Sequence, residues 1–218
     1  MSKKIVVAAL TLVCVIAMSV GGASAAPRAG EKRAEDNSFP ITEKWSVEKL
    51  LALSKDEVVA LWKTLDPPEF TELDGHYMGL VPNAGDAAAQ KALGKFMYNE
   101  DSAIGYWLGK AYKPTSATKG EGYNRWRKPG GKVVRNMQFS TDIGKSLIDG
   151  KPSFMMYYGT YNPATTLTDE LRKLDDYIYI GMGTTELADG KRSAPGHFIL
   201  VGPTDSWVGV DENLETNK

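Results

Sequence analysis

The sequence predicts a mainly β protein, an antiparallel up-and-down barrel that two or three short helices precede. Runs rich in β-branched and aromatic residues fill the chain after residue 103. Glycine-containing pairs that suit tight turns separate these runs at Gly130-Gly131, Asp149-Gly150 and Asp189-Gly190. Because no long helical crossover intervenes, the hairpins predict a meander of about seven or eight strands, counting one at 74–81. A sheet of that size usually closes on itself.

The first 25 residues predict a secretory signal peptide. Lys3 and Lys4 precede an apolar run over residues 5–20, and Ala23-Ser24-Ala25 fits a small-residue cleavage site. The run is shorter than the roughly 20 residues that span a bilayer. We therefore expect cleavage, no stable membrane insertion afterwards, and a secreted or periplasmic protein.

Composition excludes several function classes. Cys14 is the only cysteine and lies in the signal segment, so the mature chain would have neither a disulfide nor thiol chemistry. Without Lys3 and Lys4, 24 basic residues face 27 acidic ones, and no basic run stands out. We therefore expect no nucleic-acid partner. The oligomeric state stays open.

Helical patterns precede the barrel. Residues 26–40 are small, polar and charged, which indicates a flexible leader. The segment 41–68 carries apolar stripes at helical spacing, and Ser54 with Glu57 predicts a capping box. Pro67-Pro68 ends this pattern. We interpret the stripes as core packing or as a lid over the barrel mouth.

The barrel domain itself is predicted over residues 69–210, with a tail at 211–218. An alanine-rich segment near 84–98 predicts a helix inserted in this domain.

Two predicted strands each carry a G-x-aromatic-x-G motif, with an aromatic side chain midway between two glycines. The motifs are Gly75-His76-Tyr77-Met78-Gly79 and Gly105-Tyr106-Trp107-Leu108-Gly109. A glycine inside a strand marks a bend or the close approach of another backbone. We therefore expect Tyr77 and Trp107 to point into the barrel and His76 to face outward.

A third motif lies in the segment 165–183, where Asp169, Arg172, Asp175 and Gly181 follow a D-x2-R-x2-D-x5-G spacing. Together with the Tyr77 strand and the run containing Trp107, Gly109 and Lys110, this order across residues 70–202 resembles the paired GXWXG and DUF4334 domains of bacterial proteins. Tyr77 stands where that motif has tryptophan. The resemblance implies a lipocalin-like barrel and no defined catalytic residues.

The aspartate–arginine–aspartate motif has two interpretations. A spacing of three places Asp169, Arg172 and Asp175 on one face of a helical turn, where such pairs stabilise by roughly 0.2–0.5 kcal/mol. A structural role is the simpler interpretation. In the other, a buried Arg172 binds a ligand carboxylate through two N–H groups.

Signatures of catalysis and metal binding are sparse. The two histidines, His76 and His197, come without an H-x-x-x-H motif, so we expect no metal. No phosphate loop, dinucleotide fingerprint or nucleophile elbow is present, and we expect no cofactor. Asp74 and His76 share a strand face, so they form either an acid–base pair or an ordinary hydrogen-bonded strand end.

Methionines and tyrosines indicate a pocket or a solid core. Met156 and Tyr158 fall on one face of a predicted strand, and Met155 and Tyr157 on the other. Methionine fills irregular shapes and tyrosine adds a hydrogen-bonding tip, as in small-molecule pockets. The predicted ligand-binding residues are Tyr77, Trp107, Arg172, Met156, Tyr158, Asp169 and Asp175.

The leading functional hypothesis is an exported protein that holds a small hydrophobic molecule, apolar or aromatic, in a barrel cavity beneath the N-terminal helices. The alternative is a cofactor-independent isomerase, lyase or hydrolase in the same cavity. That enzyme would use Asp74 with His76, or the Asp169–Arg172–Asp175 group with a tyrosine. A third hypothesis is an envelope protein with an interaction role alone. No catalytic residue is assigned.

Overall fold

The computed structural model describes residues 45–82 and 85–211. The predicted signal peptide 1–25, the leader 26–40 and all of the predicted tail except Asp211 lie outside these ranges.

Eight antiparallel strands close into one barrel, and each pairs with its neighbours in sequence. The strands are β1 (Gly75–Leu80), β2 (Tyr106–Pro114), β3 (Gly120–Arg127), β4 (Val133–Lys145), β5 (Pro152–Tyr157), β6 (Thr168–Asp175), β7 (Ile178–Thr184) and β8 (Gly196–Asp205). Strand β8 pairs with β1, which completes the closure. The predicted fold class is confirmed.

The predicted turns join consecutive strands. Gly130, Gly150 and Gly190 adopt φ values of 77°, 75° and 77°, in the left-handed region that glycine reaches without a Cβ clash. The first two lie between β3 and β4 and between β4 and β5, and the third lies in the longer connection from β7 to β8.

Three α-helices within the described residues accompany the barrel: α1 (Val47–Leu51), α2 (Lys55–Trp62) and α3 (Ala87–Met97). The predicted capping box begins α2, because Ser54 Oγ accepts from Glu57 N and the Glu57 carboxylate accepts from Ser54 N. Helix α3 connects β1 to β2.

Helices α1 and α2 lie along the outer wall of the barrel. Leu50, Val58 and Trp62 are buried against the outward side chains of the last two strands. These side chains are Ile178, Ile180, Met182, Ile199 and Val201. We expected the two helices to cover the barrel mouth, but the apolar outer faces of β7 and β8 bind them to the wall instead.

Aromatic rings fill one end of the barrel. Tyr77 packs edge-on against Tyr112 and Tyr179, with ring centroids 5.4 and 5.6 Å apart. The 3-10 helix Phe70–Glu72 closes this end, where Tyr179 Oη donates to Glu72 Oε1 at 2.6 Å. We call this region the closed end.

The two glycine–ring motifs fit into each other. A Cβ at Gly79 would come within 2.5 Å of the Trp107 ring, and one at Gly109 within 2.1 Å of the Tyr77 carbonyl oxygen. Each glycine thus gives room to the other strand, which confirms the predicted close approach.

Candidate functional site

The other end of the barrel, under α3, holds a cavity of about 120 Å³. Helix α3 is anchored there because Tyr98 Oη accepts from Val81 N at 2.7 Å. The apolar walls are formed by Val81, Leu93, Phe96, Met97, Ile104, Trp126, Met137, Leu167 and Phe198. An apolar enclosure of this kind favours apolar or aromatic occupants.

A polar cluster lies at the inner end of the cavity, between its apolar walls and the closed end. It consists of Trp107, Lys110, Asn124, Tyr158 and Asp169, and we call it the lysine cluster. Lys110 is 3% exposed, and its Nζ donates to Asp169 Oδ2 at 2.8 Å, to Asn124 Oδ1 at 3.0 Å and to Tyr158 Oη at 2.5 Å. The buried ammonium is therefore paired with a carboxylate and hydrogen-bonded, as a buried charge requires.

Further hydrogen bonds join the partners of Lys110 to one another. Tyr158 Oη donates to Asp169 Oδ2 at 2.9 Å and accepts from Asn124 Nδ2 at 2.9 Å. Trp107 Nε1 donates to Asn124 Oδ1 at 3.1 Å. The cluster is thus a connected network drawn from separate strands, which fixes the orientation of each group.

The electrostatic surroundings of the cluster favour a positive charge at Lys110. Its Nζ lies 5.0 Å from the centroid of the Phe198 ring and 5.4 Å from that of Phe139. Burial, followed by the charge of Asp169, holds the pKa of Tyr158 well above its ordinary value. The phenol therefore stays protonated and donates to the carboxylate.

Met137, a residue of the cavity wall, has an unusual backbone conformation that sets the direction of its side chain. Met137 has φ 54°, the one positive value at a non-glycine residue in the described part of the chain. It lies where the β3–β4 register shifts between Gly122 and Asn124. Such a bulge re-aims side chains beside functional sites, and here Met137 lines the cavity.

The cavity rim carries Lys55, from the start of α2, and His197, from β8. His197 is buried, and its Nε2 has no hydrogen-bond partner among the described residues. Burial, followed by the charge of Lys55, lowers the pKa of His197 to about 4. The ring is therefore neutral near pH 7.

The structure brings some of the predicted ligand-binding residues together. Trp107, Tyr158 and Asp169 all line the cavity. Tyr77 and Met156 are fully buried in the interior core next to it, with Met156 paired with Asp169 across β5 and β6.

Arg172 and Asp175 lie apart from the cavity lining. The predicted helical turn is wrong, because Thr168–Asp175 is a strand. Alternation along this strand sends Asp169 inward and Arg172 to the outer wall. Asp175 ends the strand at the turn before β7, where its Oδ1 accepts from Asp176 N.

Arg172 fastens α2 to the barrel. It is fully buried and donates two hydrogen bonds of 2.8 Å to the carboxylate of Asp149. Its guanidinium lies 3.8 Å from the centroid of the Trp62 ring. The hydrogen bonds from Arg172 lower the pKa of Asp149 to about 2. We call this group the arginine clamp.

Asp74 and His76 do not pair with each other. Asp74 Oδ2 accepts from Lys113 Nζ at 2.9 Å at the surface. His76 is buried on the outer face of β1, where its Nε2 lies 2.8 Å from Tyr123 Oη. Burial, followed by the charge of Arg125, lowers the pKa of His76 to about 4. These separate contacts fit ordinary hydrogen-bonded positions for the two residues and not an acid–base pair.

Sequence reasoning missed Lys110 and Asn124 as site residues. The available signal for Lys110 was its charge at an inward-facing position of β2. It lies on the same strand face as Tyr112, two residues later. Asn124 carries no comparable signal.

Among the described residues, no helix is both long and apolar enough to cross a bilayer. No group of three or more histidine, cysteine, aspartate or glutamate side chains in the same ranges is arranged to hold a metal ion.

Comparison with solved structures gives distant similarities. A crystal structure of a protein from Thermomonospora curvata is 20% identical, over 72% of this chain and 95% of that one, with a TM-score of 0.48. Bovine odorant-binding protein with its natural ligand is 8% identical, over 63% and 76% of the two chains, with a TM-score of 0.34. An odorant-binding protein named OBP1 is 11% identical, over 66% and 79%, with a TM-score of 0.35. The sequence matches no protein-family model and no curated protein.

Proposed function

We propose that the protein binds a small apolar or aromatic molecule in the barrel cavity. The observation that carries this proposal is the contrast between the cavity's apolar walls and the single lysine cluster at its inner end. Apolar walls supply affinity by removing apolar surface from water, and a few fixed polar groups supply orientation.

The size of the cavity limits its occupant to about one ring. An apolar protein cavity of about 150 Å³ admits benzene, and the volume here, about 120 Å³, is somewhat smaller. Met97 and Met137 in the walls have flexible side chains that can move outward to make room for a ring.

Two further proposals concern origin and location. The segment at 1–25 supports export to the periplasm or the exterior. Kinship with the GXWXG and DUF4334 domains is supported by the contacts between their shared motif positions. Trp107, Lys110 and Asp169 meet in the lysine cluster, and the Trp107 ring lies against Gly79.

A titration with fluorobenzene, followed by fluorine NMR, tests the binding function. We expect saturable broadening or shift of the fluorine resonance with the wild-type protein. Leu93→Trp places a larger ring in the cavity and should weaken binding at least about tenfold. Leu187→Trp, at an exposed position outside the barrel, is the matched control and should bind as the wild type does. Equal binding by both variants, or none by the wild type, would contradict the proposal.

A further inference from the structure

We propose that Lys110 captures apolar aldehydes or ketones in the cavity as a protonated imine. This inference rests on the proposed binding function and names the chemical class of its ligand. It starts from the position of Lys110, the one buried lysine among the described residues, whose side chain borders the cavity. A primary amine in a desolvated pocket is the side chain that forms Schiff bases with carbonyl compounds.

The surroundings of Lys110 suit the proton transfers that imine formation needs. Asp169 Oδ2 lies 2.8 Å from Lys110 Nζ and accepts the ammonium proton, which frees the lone pair of the amine. The Tyr158 hydroxyl contacts both Lys110 Nζ and Asp169 Oδ2, so it offers a second route for a proton between the two besides their direct hydrogen bond.

The reaction keeps its charge balance inside the cavity. Lys110 Nζ, after giving one proton to Asp169, forms a bond to the carbonyl carbon while the C=O π bond breaks. A proton moves from nitrogen to the new alkoxide, giving a carbinolamine. Asp169 returns its proton to the carbinolamine hydroxyl, which leaves as water as the C=N bond forms. The product is an iminium beside an aspartate, so an ion pair is present before and after, and no isolated charge is left in the apolar site.

The hydrogen-bond network tolerates the loss of N–H groups from Lys110. The iminium has one N–H, which remains available to Asp169. The two other acceptors of Lys110 each keep a donor. Asn124 Oδ1 still accepts a hydrogen bond from Trp107 Nε1 at 3.1 Å, and Tyr158 Oη still accepts one from Asn124 Nδ2 at 2.9 Å. Conversion to the imine therefore leaves neither buried oxygen without a partner, which is the usual penalty for removing a buried donor.

Reductive trapping on the full chain tests the inference. The protein is incubated with para-fluorobenzaldehyde and sodium cyanoborohydride, and the labelled residue is located by peptide mapping. We expect one fast-labelled site, at Lys110, that excess fluorobenzene protects. Surface lysines should be labelled at least about tenfold more slowly, because they border no cavity that binds the aldehyde and have no fixed proton acceptor. Mapping of the wild type alone decides this, whatever the stability of the variants.

Two variants sharpen the result. Lys110→Arg keeps the positive charge but forms no imine, and should lose the fast-labelled site. Lys113→Gln, on the same strand but paired with Asp74 outside the barrel, should keep it. Fluorobenzene binding without fast labelling of Lys110 would overturn this inference and leave the binding function standing. Failure of fluorobenzene to bind would overturn both.

Discussion

Strand β6 contributes to two buried ion pairs, one on each side of the barrel wall. On the inner side, Asp169 meets Lys110 beside an open cavity. On the outer side, Arg172 meets Asp149 and the Trp62 ring in a closed contact. The lysine cluster borders space that a ligand can occupy, whereas the arginine clamp joins a helix to the wall. Burial and pairing alone therefore do not identify a binding site, and adjacent free volume is what separates the two.

Breaking the arginine clamp should have the largest effect on stability. Arg172→Met leaves Asp149 without its partner and removes the cation from the Trp62 ring, so we expect a loss of about 3–5 kcal/mol in the free energy of unfolding. Fluorobenzene affinity of the folded protein should not change. Urea unfolding and the fluorine NMR titration measure the two quantities.

Lys173→Met is the control for the clamp. The neighbouring Lys173 pairs with Glu72 and Asp176 at the surface, and its loss should cost less than about 1 kcal/mol. If Arg172→Met instead lost fluorobenzene binding while its free energy of unfolding stayed unchanged, Arg172 would be a ligand-binding residue, as the sequence suggested.

Breaking the inner pair should cost less. Lys110→Met leaves Asp169 unpaired, but water in the cavity can reach its carboxylate, so we expect a loss of about 2 kcal/mol. Adding Asp169→Asn removes the unpaired charge and should recover part of that loss in the same urea experiment. A larger loss for Lys110→Met than for Arg172→Met would contradict the distinction between the two regions.

A pH-dependent effect concerns His197, a titratable side chain at the cavity rim that has no carboxylate partner among the described residues. Unfolded histidine binds a proton below about pH 6.5, whereas the pKa of folded His197 is lowered to about 4. Stability is therefore complete above the unfolded pKa and declines as the pH falls toward the folded one.

Between pH 7 and pH 5 this residue should account for a loss of up to about 2 kcal/mol. His197→Leu should show a correspondingly flatter pH dependence of urea unfolding, with His76 left in place. Identical pH profiles for the variant and the wild type would rule out a neutral, buried His197.

The barrel was predictable because its signals are local. Glycines at positions 130, 150 and 190 mark the turns, and alternation of residue type separates Met156 from Met155. Closure followed from the number of strands, since a long antiparallel sheet leaves exposed edges unless it closes.

The site was less predictable because its contacts are distant in sequence. Lys110 meets partners 14, 48 and 59 residues away, and no spacing motif encodes such a set. The spacing of three between Asp169 and Arg172 suggested one helical face, whereas a strand sends the two side chains to opposite sides of the wall. The prediction that α1 and α2 form a lid was wrong for a related reason. Apolar stripes indicate that a helix is buried, but not against which surface it packs.

Native mass spectrometry of the full protein purified from its own host is the most direct test of ligand binding by the inner region. We expect a small apolar molecule bound to the wild type and to Arg172→Met, and none bound to Leu93→Trp. Bare chains in all three samples, together with no saturable fluorobenzene binding, would contradict it.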